Sequence, residues 1–533
     1  MKSVQQTPGL YYEAMAPPAE PSPLRSDIAG FIGRTRRGPV GMPVRITGWR
    51  EYLILFGGLT AQADSPFALR GYFENGGDVA YVVRLFGPAP PASPGTGVAF
   101  ALWNLQGRAV GKPPWLGWQP QQGGFTTTAF YIRASSPGAW ANGLRVKPQY
   151  RQKGASGHVE VDLEVRAADE PIEHLIGLNP GDIVDQVAKR SALIRLEPEA
   201  TPIIPDIDGG PRLLCWDDIV LGQGADFPAF EADYLAGLEL LADEAEVAMV
   251  AMPDLPSDVG PTTAKAIQQH AIAQAEALHD RLVLVDLPAA DLASTEVADW
   301  VGKFRGLDPD QALRAAVAYY PWLSVQDPLG GTARPLRALP PCGHVAGLIS
   351  RYDRERGAHY TPANATLDGA IDVTAGYALT ERAALNELGV NLLRCVPGRG
   401  IQVWGGRTFY KDPFGDGRQW LYIAHRRLIH RLIRAIRRVA EPLVFENNGP
   451  VLWLLLARAL TTILAEAYTA GGLKGDRPEQ AFRVRCDEVT NPPEERELGR
   501  VLCEIDLAPA VPMEFITLRV ALSASGTLDV FEK

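Results

Sequence analysis

The chain has 533 residues, of which 46% are hydrophobic and 21% charged, and its formal net charge is −10. One hydrophobic core stops growing at about 250–300 residues, so two to four domains are expected, and this composition excludes disorder or a coiled coil as the main state. A net-acidic chain is also not built as a dedicated nucleic-acid binder.

Five cysteines (Cys215, Cys342, Cys395, Cys486 and Cys503) are odd in number and form no C-x-x-C pair, so free thiols in a reducing compartment are expected. The opening MKSVQQTPGLYYEAM lacks a basic region followed by an apolar run, so no signal peptide is expected. VLWLLLARAL from Val451 is interrupted by Arg458 and too short to span a bilayer. Folding in the cytosol, without membrane insertion, follows as the expectation.

In chain order, GLYYEA and the proline-rich APPAEPSPL predict an extended arm over 1–25, because frequent proline forbids helix and interior strand. IAGFIGRTRRG predicts a buried strand ending in a turn, and PVRITGWREYLILFG a strand leading into a short helix. SPFALRGYFENGGDVAYVVRLF then gives a helix, a turn at Asn75-Gly76-Gly77 and a strand over 79–85. The ENGG turn lacks the Lys-Ser/Thr of a phosphate loop and is expected to stop the helix. Residues 87–124, rich in Pro, Gly and Trp, predict a surface loop or insertion. From 125 to 196, TTTAFYIRA, GLRVKPQY, HVEVDLEVRA and SALIRLEP alternate with period two and predict a β-rich subdomain, with Trp140 buried in a turn at its start.

From Phe227 to about Val325 the text changes to alternating helices and short apolar strands: ADYLAGLELLADEAEV, AMVAMP, TTAKAIQQHAIAQAEALHD, RLVLVDLP, a third helix and YYPWLSV. That alternation predicts parallel pairing with right-handed crossovers. In such folds ligands sit at the carboxyl ends of strands, here near Asp254 and Asp286, although carboxylates there also serve as helix caps and turn formers. Cys342, His344 and His359 follow, in no standard ligand spacing, and polar groups at a helix or loop end account for them.

The most informative stretch runs from Leu385 to Gly449. Between His425 and Val439 a helical wheel gives two arcs. Leu428, Ile429, Leu432, Ile433, Ala435, Ile436 and Val439 form one, and Arg426, Arg427, Arg431, Arg434, Arg437 and Arg438 the other. The apolar arc must be buried and the arginine arc must meet water or an acidic partner. A largely buried helix from 451 to 473 comes next, then QAFRVRCDEVTN as a strand and EERELGRVLCEIDLAPAVPMEFITLRVALS with two more. The last strand, 514–523, lies beyond Pro509 and Pro512 and is free to pair outside its own domain.

An ordered set of segments, from TPGLYYEA, IAGFIGRTRRGPVGMPVRITGWREYLILFG and LRGYFENGGDVAYVVRL through SSPGAWANGLRV, YYPWLSVQDP and PPCGHVAGLISRYDRERGAHYTPAN to LNELGVNLLRCVPGRGIQVWGGRTF, EPLVFENNGPVLW, AFRVRCDEVTN and GRVLCEIDLAPAVPMEFITLRV, resembles the contractile tail sheath proteins of phages and phage-tail-like injection systems. The resemblance implies a mixed α/β, multidomain sheath subunit. It implies an N-terminal arm over 1–25, an inner domain from 26–86 and 340–508, outer parts over 87–225 (β-rich) and 226–339 (α/β), and a C-terminal strand or arm over 509–533.

It also implies a helical homopolymer around a tail tube, with baseplate and terminator or cap proteins as further partners, in the cytoplasm as part of a phage tail or injection particle. Arg427, Arg431, Arg434 and Arg438 are then expected to face an acidic tube. Leu10, Tyr11, Tyr12, Phe515, Ile516 and Leu518 are expected to pair with neighbouring subunits. No catalytic, metal-binding or cofactor-binding residue, no cofactor and no nucleic acid are expected. The competing readings are an α/β-fold enzyme resting on Asp254, Asp286 and His344, and a nucleic-acid binder resting on the arginine helix.

Overall fold

The computed structural model describes residues 25–87, 98–104, 129–153, 158–167, 172–179, 182–198, 213–215, 218–307, 313–410, 418–443, 446–510, 516–522 and 528–532. Two compact units divide the chain, Ser26–His430 and a second one that holds Arg431–Lys533 with Met1–Arg25.

The larger unit opens with β1 (Ala29–Gly33), β2 (Pro43–Ile46), α1 (Trp49–Phe56), α2 (Ser65–Glu74) and β3 (Ala80–Arg84). A β-rich stretch follows: β4 (Phe100–Asn104), β5 (Ala129–Ala134), β6 (Arg145–Lys153), β7 (His158–Arg166), β8 (Glu173–Leu178), α3 (Ile183–Arg190), β9 (Ile194–Pro198), β10 (Leu213–Cys215) and β11 (Ile219–Val220). Alternation resumes with α4 (Glu231–Ala242), β12 (Met249–Ala251), α5 (Leu255–Asp258), α6 (Pro261–Leu278), β13 (Leu282–Val285), α7 (Ser294–Leu307) and β14 (Ala316–Tyr320). Then come β15 (Leu323–Gln326), β16 (Leu336–Leu339), α8 (Cys342–Glu355), β17 (Thr366–Leu367), β18 (Ala370–Val373), α9 (Leu379–Glu387), β19 (Val390–Val396) and β20 (Gly400–Trp404). Helix α10 (Ile423–Ala440) contains the boundary between the units. The smaller unit adds α11 (Pro450–Thr469), α12 (Pro478–Ala481), β21 (Phe482–Arg485), α13 (Pro493–Glu497), β22 (Val501–Leu507), β23 (Ile516–Leu522) and β24 (Leu528–Glu532).

The centre of the larger unit is a nine-stranded sheet in the order β17-β20-β19-β14-β13-β12-β1-β3-β2. Six of its strands, β19 to β3, pair in parallel; β2 and β20 run antiparallel beside them, and β17 pairs antiparallel with β20 at the edge. A parallel strand must be apolar on both faces because helices cover both. β13 shows it: Leu282 and Leu284 enter one core, with Phe67, Leu69 and Ile349, while Val283 and Val285 enter the other, with Leu238, Ile267 and Phe304. Successive side chains point to opposite faces, so a four-residue strand feeds both cores. A third core lies in the β-rich part, around Val146, Val161, Leu163 and Ile194.

The mixed α/β class agrees with the sequence reading, and the sheet gathers strands from 26–86, 226–339 and 340–404 into one layer. The division expected between 226–339 and the parts on either side therefore crosses a continuous hydrogen-bonded sheet. β4 lies where a loop was expected, and β8 and α3 were not foreseen; Trp140 is half-buried, with Arg37 over its ring. At the ENGG turn, Gly76 takes φ 99° and the helix ends, as expected.

In the smaller unit β21-β22-β23-β24 form an antiparallel sheet. The register sets Arg485 opposite Glu504, which brings Cys486 against Cys503 with Cα atoms 4.5 Å apart in a disulfide. The expectation of free thiols fails for this pair, because strand register was not readable from cysteine spacing. Helix α11 is 20 residues long and by length and composition could cross a membrane, unlike the shorter run read from the sequence. Here Leu452, Leu456, Leu460 and Leu464 form a buried stripe at i, i+4 spacing.

Helices α2 and α8 meet at glycines. A Cβ on Gly343 would lie 2.2 Å from the Ala68 carbonyl oxygen, and one on Gly347 equally close to that of Tyr72. Neither neighbour can yield, because both are helix backbone. Gly347→Val should therefore destabilise the larger unit by about 3 kcal/mol or more, read as a lowered urea midpoint.

Candidate functional site

Two places could carry function on the sequence reading: the carboxyl ends of the parallel strands, and α10. At the strand ends Asp254 follows β12 and is fully buried. Its carboxylate accepts from the backbone N–H of Arg34 (2.7 Å), Asp64 and Ser65 (3.1 Å) and from Ser65 Oγ (2.6 Å). It thus ties the exit of β1 to the first turn of α2, whose N–H groups have no partners within the helix. Beside it, Asp258 pairs with Arg34 Nη2 at 2.6 Å and accepts from the Tyr234 hydroxyl at 2.8 Å. Asp64 pairs with Arg337 Nε at 2.8 Å. A Cβ on Gly33 would lie 1.9 Å from Ser65 Oγ and 2.5 Å from Asp254 Oδ2, so the space over the strand end is occupied by the chain itself.

Asp286 follows β13, and one of its oxygens takes hydrogen bonds from the backbone N–H and thiol of Cys342, at the start of α8. Its Oδ2 is buried without a hydrogen-bond partner. Burial pushes Asp286 up to about 7, and burial with the neighbouring Asp254 charge pushes Asp258 to about 7 and Asp64 to about 6. Burial raises the Cys342 thiol well above its ordinary range, and burial with the nearby Arg70 charge lowers His344 to about 4. At neutral pH neither a thiolate nor an imidazolium forms, so Cys342 and His344 are not set up as a nucleophile and its acid.

They also point apart, since His344 packs where a Cβ on Gly71 would strike its ring. Among the described residues no group of three or more His, Cys, Asp or Glu side chains is placed to hold a metal ion. The structure brings Asp254 together with Asp64 and Asp258, which sequence reasoning missed, and buries Asp254, Asp286 and His344, the three residues on which the enzyme reading rests.

In α10 the structure corrects the two-arc reading. Arg427 is 3% exposed and Arg434 1%, whereas Arg431 and Arg438 are exposed. Arg427 donates to Asp353 Oδ2 of α8 at 2.6 Å and to the Ser26 carbonyl at 3.2 Å. Arg434 donates to the Arg25 carbonyl at 2.6 Å. Arg426, also buried, lies over the Trp420 ring, 5.6 Å from its centroid. A wheel places arginine outside by polarity alone, but guanidinium groups are buried where carboxylates, carbonyls and aromatic faces receive them.

Of the strand residues expected to pair with neighbours, Leu10, Tyr11, Tyr12 and Phe515 lie outside the described residues. Ile516 and Leu518 belong to β23, which pairs inside this chain with β22 and β24 rather than standing free.

What sequence reasoning missed is two exposed apolar helix faces. On α1, Leu53, Ile54 and Leu55 are 40%, 56% and 36% exposed; on α11, Val451, Leu454 and Leu455 are exposed. The signal was present in α1. Three consecutive apolar residues sweep about 200° of a helix, so they cannot all face one core.

The family model described as the phage tail sheath protein central domain matches residues 231–409, and that of the phage tail sheath C-terminal domain matches 416–523. The chain belongs to the phage tail sheath family. The tail sheath protein of Vibrio phage KVP40 is 24% identical over 321 residues, 57% of this chain; the chain spans a little under half of that relative's length (46%). Among solved structures, the sheath tail protein of Listeria innocua superposes with a TM-score of 0.64 at 13% identity, covering 93% of this chain and 95% of that one. The helical sheath of the anti-feeding prophage in its contracted state gives 0.54 at 22% identity, covering 96% and 98%. These likenesses extend the sheath fold over nearly all of this chain.

Within this sheath protein the buried arginine is a structural element. Arg427→Met leaves Asp353 buried without its cation and should cost about 3–5 kcal/mol in chemical unfolding, whereas Arg431→Ala should change stability by no more than about 0.5 kcal/mol.

Proposed function

We propose that this chain is a structural, non-catalytic subunit of a contractile sheath: copies assemble helically around a tail tube, in a phage tail or contractile injection particle, and contract to drive the tube through a target envelope. One observation carries the reading beyond family membership. The Asp254 carboxylate at the strand ends is taken up by contacts within the chain, while apolar side chains stand exposed on α1 and α11. Clusters of exposed apolar side chains mark surfaces for protein contact. Contacts between unlike patches that do not close on themselves build open helical polymers. Contraction then needs two packings of the same subunits, the extended one held higher in free energy.

The tube contact falls to Arg431 and Arg438, since Arg427 and Arg434 are buried. Each exposed pair with an acidic tube is worth about 0.2–1 kcal/mol, so the contact is strong only through repetition and stays breakable one subunit at a time. Strand exchange is kept for β23 and β24: the hairpin that closes on β22 in one chain makes the same main-chain bonds when donated to a neighbour. Baseplate and terminator proteins complete the partner set.

Negative-stain microscopy of the purified full chain should show hollow striated tubes. Ile54→Glu or Leu454→Glu should abolish them without lowering the thermal midpoint of the free subunit, and loss of 509–533 should abolish them too. Wild-type chain that stays monomeric with and without tube protein overturns the assembly reading. Arg431→Glu with Arg438→Glu should cut tube binding at low salt and leave little further salt dependence.

A further inference from the structure

The sheath reading leaves one feature of the larger unit unused: the buried carboxyl cluster at the carboxyl end of the sheet. Asp64, Asp254, Asp258 and Asp286 all lie there at the ends or starts of elements, and among the described residues two guanidinium groups, Arg34 and Arg337, pair with them. Arg337 is shared further, with Asp327 at 3.7 Å. Four carboxylates against two cations cannot all be charged in a desolvated site without a large penalty, so protons must make up the difference. The arrangement shows where they go. Asp254 has four donors over its two oxygens, three backbone N–H groups and one hydroxyl, which favour an acceptor. Asp286 has an Oδ2 with no partner at all, although it is 4% exposed.

We propose that this cluster is a proton-loaded latch, which holds α2, α5 and α8 on the end of the sheet while it carries protons and loosens them when it loses them. Every element packed there contributes to its charge. Arg34 extends from β1, Asp64 and Ser65 from the start of α2, Tyr234 from α4, Asp254 and Asp258 from either end of α5, Asp327 and Arg337 from the β15–β16 hairpin, and Cys342 from the start of α8. Tyr52 of α1 lies within electrostatic reach of Asp254. The tyrosines and the thiol are held neutral through the physiological range, because burial raises all three. Asp258 and Asp286, each pushed up to about 7, and Asp64, to about 6, are therefore the groups that change charge.

The sign follows from linkage. In the unfolded chain these carboxyls titrate near about 3.9, so between there and about 7 the folded unit binds more protons, and its stability falls as pH rises through that window. His344 opposes this below about 6.5, since its folded form resists protonation. The comparison must therefore be between variants that leave His344 in place.

The test uses the full chain with Asp286→Asn and, separately, Asp258→Asn, each an uncharged copy of the protonated carboxyl. Thermal midpoints are measured from about pH 5 to about pH 8. Each variant should match or fall below the wild type at the acid end and exceed it by a few degrees at the alkaline end, so that the two curves cross. Curves that stay parallel overturn the latch. If a variant fails to fold, infrared difference spectra of the wild type decide the matter. A protonated-carboxyl band should persist above pH 6 and vanish by about pH 8, and its absence at pH 6 would overturn the proposal.

Discussion

The Asp254 carboxylate is the tie on which the larger unit depends. A parallel sheet covered on both faces has its helices delivered by crossovers, and each crossover leaves backbone N–H groups at a helix start with no partner within the helix. Asp254 gathers such groups from α2 together with the N–H of Arg34, joining segments about 200 residues apart in sequence. Because these donors converge on one side chain, β1, β12 and α2 are fixed relative to one another at a single point. The glycines of α8 then let it approach α2 to backbone contact. A cleft that another α/β protein would keep open for a ligand is closed here by this convergence.

The elements were largely legible in the sequence, and the reasons are local. The short apolar runs of β12, β13 and β14, the ENGG stop and the long helix from Pro261 each announce themselves by period or by turn chemistry. What was not legible is what depends on pairing between distant segments. That one sheet would take strands from three regions, that Cys486 would face Cys503, and that β23 would close on β22 are facts of register, which no run of residues encodes alone. Helix α10 failed for a different reason. Its arginines were sorted by polarity, but Asp353 lies one helix away in space and 74 residues away in sequence, so the partner that allows burial was invisible.

A sheath subunit has to reconcile rigidity with exchange, and the chain distributes these demands. The larger unit is stiffened by its two cores and by hydrogen bonds that bridge distant segments. Surfaces available for exchange lie where side chains are apolar and uncovered, or where charge is exposed, as at Arg431 and Arg438. Buried guanidinium groups do not belong to that second class, since a charge removed from water needs its fixed partners at all times. Of the arginine arc, only the residues left in solvent are free to make contacts that can be broken.

The order of the strands has a consequence for how the chain is made. β1 sits between β3, which follows it closely, and β12, whose Met249 pairs with Ala29 from 220 positions further along. At synthesis rates of about 5–20 residues per second, β12 emerges about 10–40 s after β1. For that interval the first three strands present an apolar, unpaired edge while the β-rich part completes its own core. In a cell filling with copies of the same chain, that edge is open to the wrong partner. The quality of the finished polymer is thus exposed to events on the ribosome, long before any subunit joins it.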